Sequence, residues 1–430
     1  MPSAGPKLFF IAGEPSGDAR AAAVLRAIRE RAPGVEAVGL GGPRLAAAGM
    51  RLLRDMTVDM AIVGLVEVFK KSPQIVAVRS LARRALREMR PDALVLVDYP
   101  GFNLGLMAPY ARKLGIPVVY YIVPQFWAWH QSRIHRLRRF CRTVIPIFPF
   151  EEALLREEGI DARFVGNPLL DDLRADIPRE TVCPRFGLDP TRPVVGLLPG
   201  SRRREVAKHL PLMLQAAKRI TDTHSLQTEQ IQDTHSLQIE DTHSRHTRDT
   251  LLPSPSASAR PPVQWVVVRA ATIRREFLDD HLRNAEVPVT VLDPPGEGGV
   301  SPEEFFSMRA AFAFAWVKSG TSTLETALLG TPFVVVYKVS PLTAFIGRRV
   351  MRVPFMGMPN LVAGEEVVPE LIQENLTVDG LARHALRILT HPGEALATRE
   401  RLRAVRERFG PPGSAGRAAE IILETAGEGR

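Results

Sequence analysis

Pro193-Val-Val-Gly-Leu-Leu-Pro-Gly-Ser-Arg-Arg-Arg-Glu205 decides how the chain is read. Val194 to Leu198 is an apolar run of strand length, Pro199-Gly200-Ser201 a tight turn, and the residues after it open a helix. Such a passage leaves amide groups unpaired at the helix start, where the peptide dipoles favour negative charge. Gly200 can adopt backbone angles that other residues resist and lets a ligand come close. Ser201 fits an N-cap. Arg202, Arg203 and Arg204 crowd positive charge onto the same end. Arginine is unfavourable there, so three in succession point to an anion such as phosphate. The plainer alternative is a capped helix with a solvated basic first turn.

Outward from this stretch, strands and helices alternate. Strands are expected at 194–198, 263–268, 288–292, 311–317 and 333–337, with helices at 203–219, 272–284, 302–309 and from the turn Lys318-Ser-Gly-Thr-Ser-Thr323 to Leu329. Further helices are expected around 341–351, 367–374, 379–390 and 398–426. The first half repeats the pattern, with strands at 7–12, 35–40, 93–97, 117–123, 144–148 and 162–165. Its helices are expected at 19–31, 44–48, 108–114, 127–141 and 151–158. Alternation of this kind argues for parallel sheets covered on both faces, with ligands at the carboxyl ends of the strands. The expected fold class is therefore α/β, two doubly wound Rossmann-like domains facing across a cleft. The first domain is assigned to 1–170 and a proline-bearing polar linker to 171–192. The second domain is assigned to 193–397, and a helix at 398–430 is expected to return to the first.

One segment breaks the alternation. Asp222-Thr-His-Ser-Leu-Gln227 recurs as Asp233-Thr-His-Ser-Leu-Gln238 and in part as Asp241-Thr-His-Ser244, and the chain then turns Pro/Ser/Ala-rich. Residues 221–262 read as a low-complexity insertion without a core-forming period. Its histidines are no metal site by composition, and no metal is expected elsewhere.

The 430 residues are 45% apolar and carry a formal net charge of +9. That is ordinary for a globular chain and suits anionic partners without choosing among them. Cys141 and Cys183 form no redox or metal pair, and a reducing compartment fits them. No apolar run approaches the length of a membrane span, and the N-terminus enters a strand without a signal segment.

Several turns can carry chemistry. Gly13-Glu14-Pro15-Ser16-Gly17-Asp18 lacks the third glycine of a dinucleotide fingerprint, so no cofactor is expected. Glu14 and Ser16 face the ligand side, and Asp18 fits an N-cap as well as a functional role. Asp98 ends an apolar strand. It serves equally as a general base, if burial raises its pKa, or as the start of an Asx turn before Pro100. Ser319, Gly320, Thr321 and Ser322 form a second small-residue turn into a helix. Ser322 with Glu325 fits a capping box; alternatively the turn admits a nucleotide and Glu325 takes ribose hydroxyls. No Asp-x-Asp triplet occurs, so charge on a leaving pyrophosphate falls to Arg202 and helix dipoles. Two apolar stretches end in cations. Met60 to Phe69 meets Lys70 and Lys71, and Phe126-Trp127-Ala-Trp129-His130 meets Arg133, Arg136, Arg138, Arg139 and Arg142. Each suits a peripheral membrane contact or a core segment with a basic outer face.

With these residues in view, the chain resembles the lipid-A-disaccharide synthase family of GT-B glycosyltransferases. The motifs that carry the likeness include Ala12-Gly-Glu-Pro-Ser-Gly-Asp18, Asp98-Tyr-Pro-Gly-Phe-Asn103, Val123-Pro-Gln-Phe-Trp-Ala-Trp129 and Leu198-Pro-Gly-Ser-Arg202. Ser319-Gly-Thr-Ser-Thr-Leu-Glu325, Pro359-Asn-Leu-Val-Ala-Gly364 and Pro369-Glu-Leu-Ile-Gln373 follow in the family's order. The resemblance implies transfer from UDP-2,3-diacylglucosamine to 2,3-diacylglucosamine 1-phosphate, with inversion, giving a β-1,6 disaccharide and UDP. It implies Asp98 as base, Arg202 at the UDP phosphates, Glu325 at the ribose, and Asn360 and Gln373 on the donor side. It also implies a peripheral enzyme at the cytoplasmic face of a Gram-negative inner membrane, and it is compatible with a homodimer. The insertion at 221–262 departs from the family. The rivals are another GT-B enzyme, such as a UDP-sugar epimerase, and a basic nucleic-acid-binding protein. The second should show stacking platforms or a recognition helix, and the sequence has neither.

Overall fold

The computed structural model describes residues 5–59, 72–124, 126–127, 132–239, 262–340 and 354–428. The apolar run Met60–Phe69 with Lys70 and Lys71, residues Ala128 to His130 and the helix expected at 341–351 lie outside the described residues, as does the insertion from 240 to 261. The chain forms two units. One takes in the chain to Asp172 and from Glu407 onward; the other takes in Leu173–Arg348 and Pro354–Arg406.

Each unit is built on a six-stranded parallel sheet. In the first, β1 (Lys7–Ala12), β2 (Glu36–Gly41), β3 (Arg51–Asp55), β4 (Ala93–Val97), β5 (Val118–Tyr121) and β6 (Thr143–Ile145) lie in the order β3-β2-β1-β4-β5-β6. In the second, β7 (Val194–Leu198), β8 (Gln264–Val268), β9 (Val289–Leu292), β10 (Phe314–Lys318), β11 (Phe333–Tyr337) and β12 (Glu370–Ile372) lie in the order β12-β11-β10-β7-β8-β9. The central strands are continuous apolar runs because helices cover both faces, and β4 and β7 are buried along their whole lengths. In the first unit, Phe9, Ile11, Leu94 and Leu96 pack on one face of the sheet. Leu8, Phe10, Val95 and Val97 pack on the other.

The two sheets share one connectivity. Three strands are laid down outward in one direction, and the chain then returns to the middle and builds the other way. The reversal falls between β1 and β4, paired at Ala12 and Val97, and between β7 and β10, paired at Leu198 and Val317. The turns that follow these strand pairs therefore emerge side by side, at the place where such sheets bind ligands.

Some expectations need correction. Residues 171–192 are not a free linker. They carry the helix Arg179–Arg185, with Val182 and Cys183 fully buried, and Arg179 donates to the carbonyls of Ala311 and Arg192. The C-terminal stretch is two helices, Pro392–Arg408 and Ser414–Glu428. The second buries Ala418, Ala419, Ile422 and Ala426 in the core of the first unit. Residues 162–165 make only a single bridge, from Ala162 to Val144. The helix expected at 367–374 is instead β12 followed by a short 3-10 turn, Gln373–Asn375. The helix expected at 203–219 runs from Arg203 to Ile239, into the segment read as an insertion. The repeat there advances eleven residues from Asp222 to Asp233, about three turns of an α-helix.

Candidate active site

The first sheet's reversal point holds Asp98 and Glu14. Asp98 follows β4 with φ of 47°, and Tyr99 follows with φ of 50°. Two successive left-handed residues that are not glycine cost about 1–3 kcal/mol each, so the surroundings must impose them. The Asp98 amide donates to the Tyr121 carbonyl at 3.0 Å, and the Asn103 amide donates to the Tyr99 carbonyl at 3.0 Å. The Asp98 carbonyl accepts from the Tyr120 hydroxyl at 2.6 Å and from Asn103 Nδ2 at 2.7 Å. An Asx turn does not form: it needs an N–H two residues on, and that position is Pro100. Gly13 is required beside this turn, because a Cβ there would lie 2.6 Å from the Tyr99 ring.

Burial pushes the Asp98 carboxyl up to about 6, and the negative charge of Glu14 adds to the shift, against the Tyr99 N–H and Arg133. Such a group is mostly ionised at neutral pH yet holds a proton readily, as a general base must. Glu14 and Ser16 are exposed at the start of the helix Pro15–Arg31. Asp18 is different. It is buried and accepts from the amides of Gly42, Arg44 and Leu45 at 2.7, 2.9 and 3.2 Å, so it caps the neighbouring helix Pro43–Ala47.

The second reversal point is basic. Gly200 has φ of 129°, and a Cβ on it would meet Glu205 at 2.7 Å. The helix begins at Arg203, and the Ser201 side chain does not cap it as expected. Instead Glu205 folds back: its Oε2 accepts the Ser201 amide at 3.1 Å, and its Oε1 pairs with Arg202 at 3.1 Å and Lys318 at 2.8 Å. Burial alone would raise the Glu205 pKa, but Lys318, the Ser201 N–H and Arg202 hold it below the ordinary value. The Arg202 side chain is 72% exposed and can reach a ligand. His209 is buried beneath the turn, its Nδ1 on the carbonyls of Pro199 and Glu205 and its Nε2 accepting the Lys338 amide at 3.0 Å. Burial lowers its pKa, so the ring stays neutral and serves as both donor and acceptor.

The turn after β10 lies beside this one. Ser319 Oγ donates to the Met356 carbonyl at 3.1 Å. Gly320 occupies the cap position of the helix Thr321–Leu328, with Thr321 exposed. Ser322 lies inside that helix, so the capping box with Glu325 does not form. Glu325 Oε2 instead accepts from the buried Arg309 at 2.7 Å. Asn360 departs further from expectation. It is fully buried, donates to the Val368 carbonyl and Glu370, and accepts from the amides of Val367 and Val368. That uses both donors and both lone pairs, leaving nothing for a ligand. Gln373, with φ of 53°, follows β12 at the carboxyl edge of the sheet.

The structure thus groups Glu14 with Asp98, and Gly200, Ser201 and Arg202 with Ser319, Gly320 and Thr321. It adds Tyr120, Glu205, His209 and Lys318, each with at least one partner distant in the chain. A cation ending an otherwise apolar strand was the one available signal for Lys318. In the first unit, Glu151 is fully buried, burial pushes its carboxyl up to about 8, and it accepts from Trp127 Nε1 at 3.0 Å.

Each reversal point thus gathers its own charged cluster, acidic on the first sheet and basic on the second. The family model described as lipid-A-disaccharide synthetase matches residues 8–260 and 300–410. The chain belongs to the lipid-A-disaccharide synthase family. The synthase of Syntrophus aciditrophicus is 38% identical over 97% of both chains, and that of Myxococcus xanthus is 35% identical over 99% of both. The chain is accordingly a glycosyltransferase of lipid A biosynthesis, taking a UDP-sugar donor and a lipid acceptor. Among solved structures, a Neisseria meningitidis UDP-GlcNAc 2-epimerase bound to UDP-GlcNAc aligns with a TM-score of 0.56 at 13% identity, over 98% of this chain and 99% of that one. Acinetobacter baumannii MurG aligns at 0.53 and 14%, over 97% and 99%. At such identities the likeness extends to the GT-B fold and no further. Among the described residues no helix is long and apolar enough to cross a membrane.

Proposed function

We propose that this synthase uses Asp98 as the general base and the turns at 200–202 and 319–321 as the seat of UDP. Asp98 takes the proton from the 6-hydroxyl of 2,3-diacylglucosamine 1-phosphate as that oxygen attacks the anomeric carbon of UDP-2,3-diacylglucosamine. The bond from that carbon to the diphosphate breaks on the opposite face, the centre inverts, and the electron pair leaves with UDP. Arg202 and the helix-start amides meet the charge that grows on the diphosphate. Glu325, anchored by Arg309, accepts from the ribose hydroxyls, and Gln373 lies on the donor side. The observation that carries this reading is the Asp98 carboxyl, raised to about 6 at the end of a buried strand.

The enzyme would work as a peripheral protein at the cytoplasmic face of the inner membrane. Drawing an acyl chain out of a bilayer costs about 0.8 kcal/mol per CH₂, so lifting only the sugar heads avoids that cost. The helix Ser132–Phe140 supports this, presenting exposed Arg136, Arg138 and Arg139 for lipid phosphates, each worth about 1 kcal/mol near an anionic surface. The test is UDP release from the diacylated donor with and without the monosaccharide phosphate acceptor. Release that depends on the acceptor is expected; acceptor-independent release, or interconversion of the donor to an epimer, would overturn the assignment.

A further inference from the structure

We infer that Tyr120 and Asn103 are positioning residues for Asp98, clamping its peptide carbonyl from two sides and so holding the turn that aims its carboxylate. The inference rests on the reading of Asp98 as the base.

The clamp draws on separate elements. Tyr120 comes from β5, the strand beside Asp98's own, and Asn103 opens the π-helical segment Asn103–Met107 after the turn. Both side chains are fully buried, so they reach the reaction only through Asp98. Each contains a polar group that packing alone does not require. Phenylalanine would fill the site of Tyr120 equally well; the hydroxyl's partner is the Asp98 carbonyl. Burial, with the Asp98 charge second, raises the Tyr120 pKa well above its ordinary value, so the hydroxyl keeps its proton and remains a donor.

Asn103 makes the point more sharply. Its Nδ2 reaches the carbonyls of Val97 at 3.2 Å and Asp98 at 2.7 Å, while its buried Oδ1 has no partner among the described residues. A buried acceptor without a donor is unfavourable, so this side chain is there for its N–H groups. What they hold is a conformation the chain resists. Tyr99 has φ of 50° and ψ of 56° although it precedes Pro100, a position normally driven to extended angles. Without the clamp the turn relaxes toward those angles and carries the Asp98 carboxylate off its line.

The test compares Tyr120→Phe and Asn103→Ala, each in the natural chain and on a Tyr99→Gly background, with Asp98→Asn alongside. Turnover should fall about 10-fold for Tyr120→Phe and further for Asn103→Ala, with donor KM and UDP affinity within about two-fold of the natural enzyme. The acid limb of the pH–rate profile should move to lower pH as the relaxed carboxyl gains water. On the Tyr99→Gly background both costs should shrink, because glycine takes left-handed angles without strain. A purely structural role predicts equal costs on both backgrounds, and that result overturns the inference, as does turnover within two-fold of natural for Tyr120→Phe. If Asn103→Ala does not fold, Tyr120→Phe, which removes one oxygen, carries the test. If Asp98→Asn is inactive while Tyr120→Phe is not slowed, the positioning role alone fails; if Asp98→Asn turns over normally, the base assignment fails.

Discussion

The two sheets run their strands in the same order, yet the residues at their reversal points are opposite in charge and in the way they are held. On the first, an acid is buried beside another acid, in a turn of left-handed residues fixed by side chains from neighbouring elements. On the second, glycine takes the positive φ, and a carboxylate from the following helix gathers Arg202, Lys318 and the Ser201 amide. With the proposed roles, a base at Asp98 and a diphosphate seat at the second turn, the difference follows from what each place would have to do. A base must hold one atom on line and stay close to neutrality, so strain and burial are tolerated there. A seat for a diphosphate must let a large anion approach, so side chains are small and donors are exposed. The fold supplies two equivalent locations, and the local sequence gives each its chemistry.

The widest separation between the two should come from Asp98→Asn. Loss of a general base costs on the order of 10²–10⁴ in turnover, read by UDP release under saturating substrates. Arg202→Ala should cost about 10²-fold in kcat/KM, because the guanidinium acts on charge that grows as the bond breaks. Glu14→Gln refines the first site. Removing that negative neighbour stabilises the Asp98 carboxylate, so its pKa falls from about 6 and the acid limb of the rate profile shifts by less than about one unit to lower pH. A shift to higher pH would mean that Glu14 does not act on Asp98 by its charge. The smallest effect is expected where neither site is touched. Replacing residues 224–261 by a short linker should leave turnover within about two-fold of natural, since the segment holds none of the residues assigned to either site. The cut must spare Thr221, which accepts from Trp265 Nε1, and Asp222, which pairs with Lys218.

The sequence carried the interior of both sheets plainly. Runs such as Leu8 to Ala12 and Val194 to Leu198 are apolar throughout because they are covered on both faces. Of the four edge strands, β6 and β9 were legible as short apolar runs, and β3 and β12 were not. β3 is Arg-Leu-Leu-Arg-Asp and only partly buried, and β12 is three residues long beginning with Glu370, so neither shows a strand period. Asp98 and Gly200 to Arg202 could be read because they follow strands directly. Tyr120, Lys318 and Glu205 could not, since sheet topology brings Tyr120 to Asp98 across 22 residues of chain and Lys318 to Glu205 across a longer stretch. Asn360 shows the opposite failure: a residue within a motif of the resemblance, expected on the donor side, spends its whole amide on the backbone of Val367 and Val368 and on Glu370.

The division of labour between the two reversal points is tested most directly by the affinity for UDP, measured by calorimetry on Asp98→Asn and Arg202→Ala side by side. Asp98→Asn should bind UDP within about two-fold of the natural enzyme while its turnover is lost, and Arg202→Ala should bind at least about ten-fold more weakly. Loss of UDP affinity in Asp98→Asn in step with its loss of turnover would contradict the account.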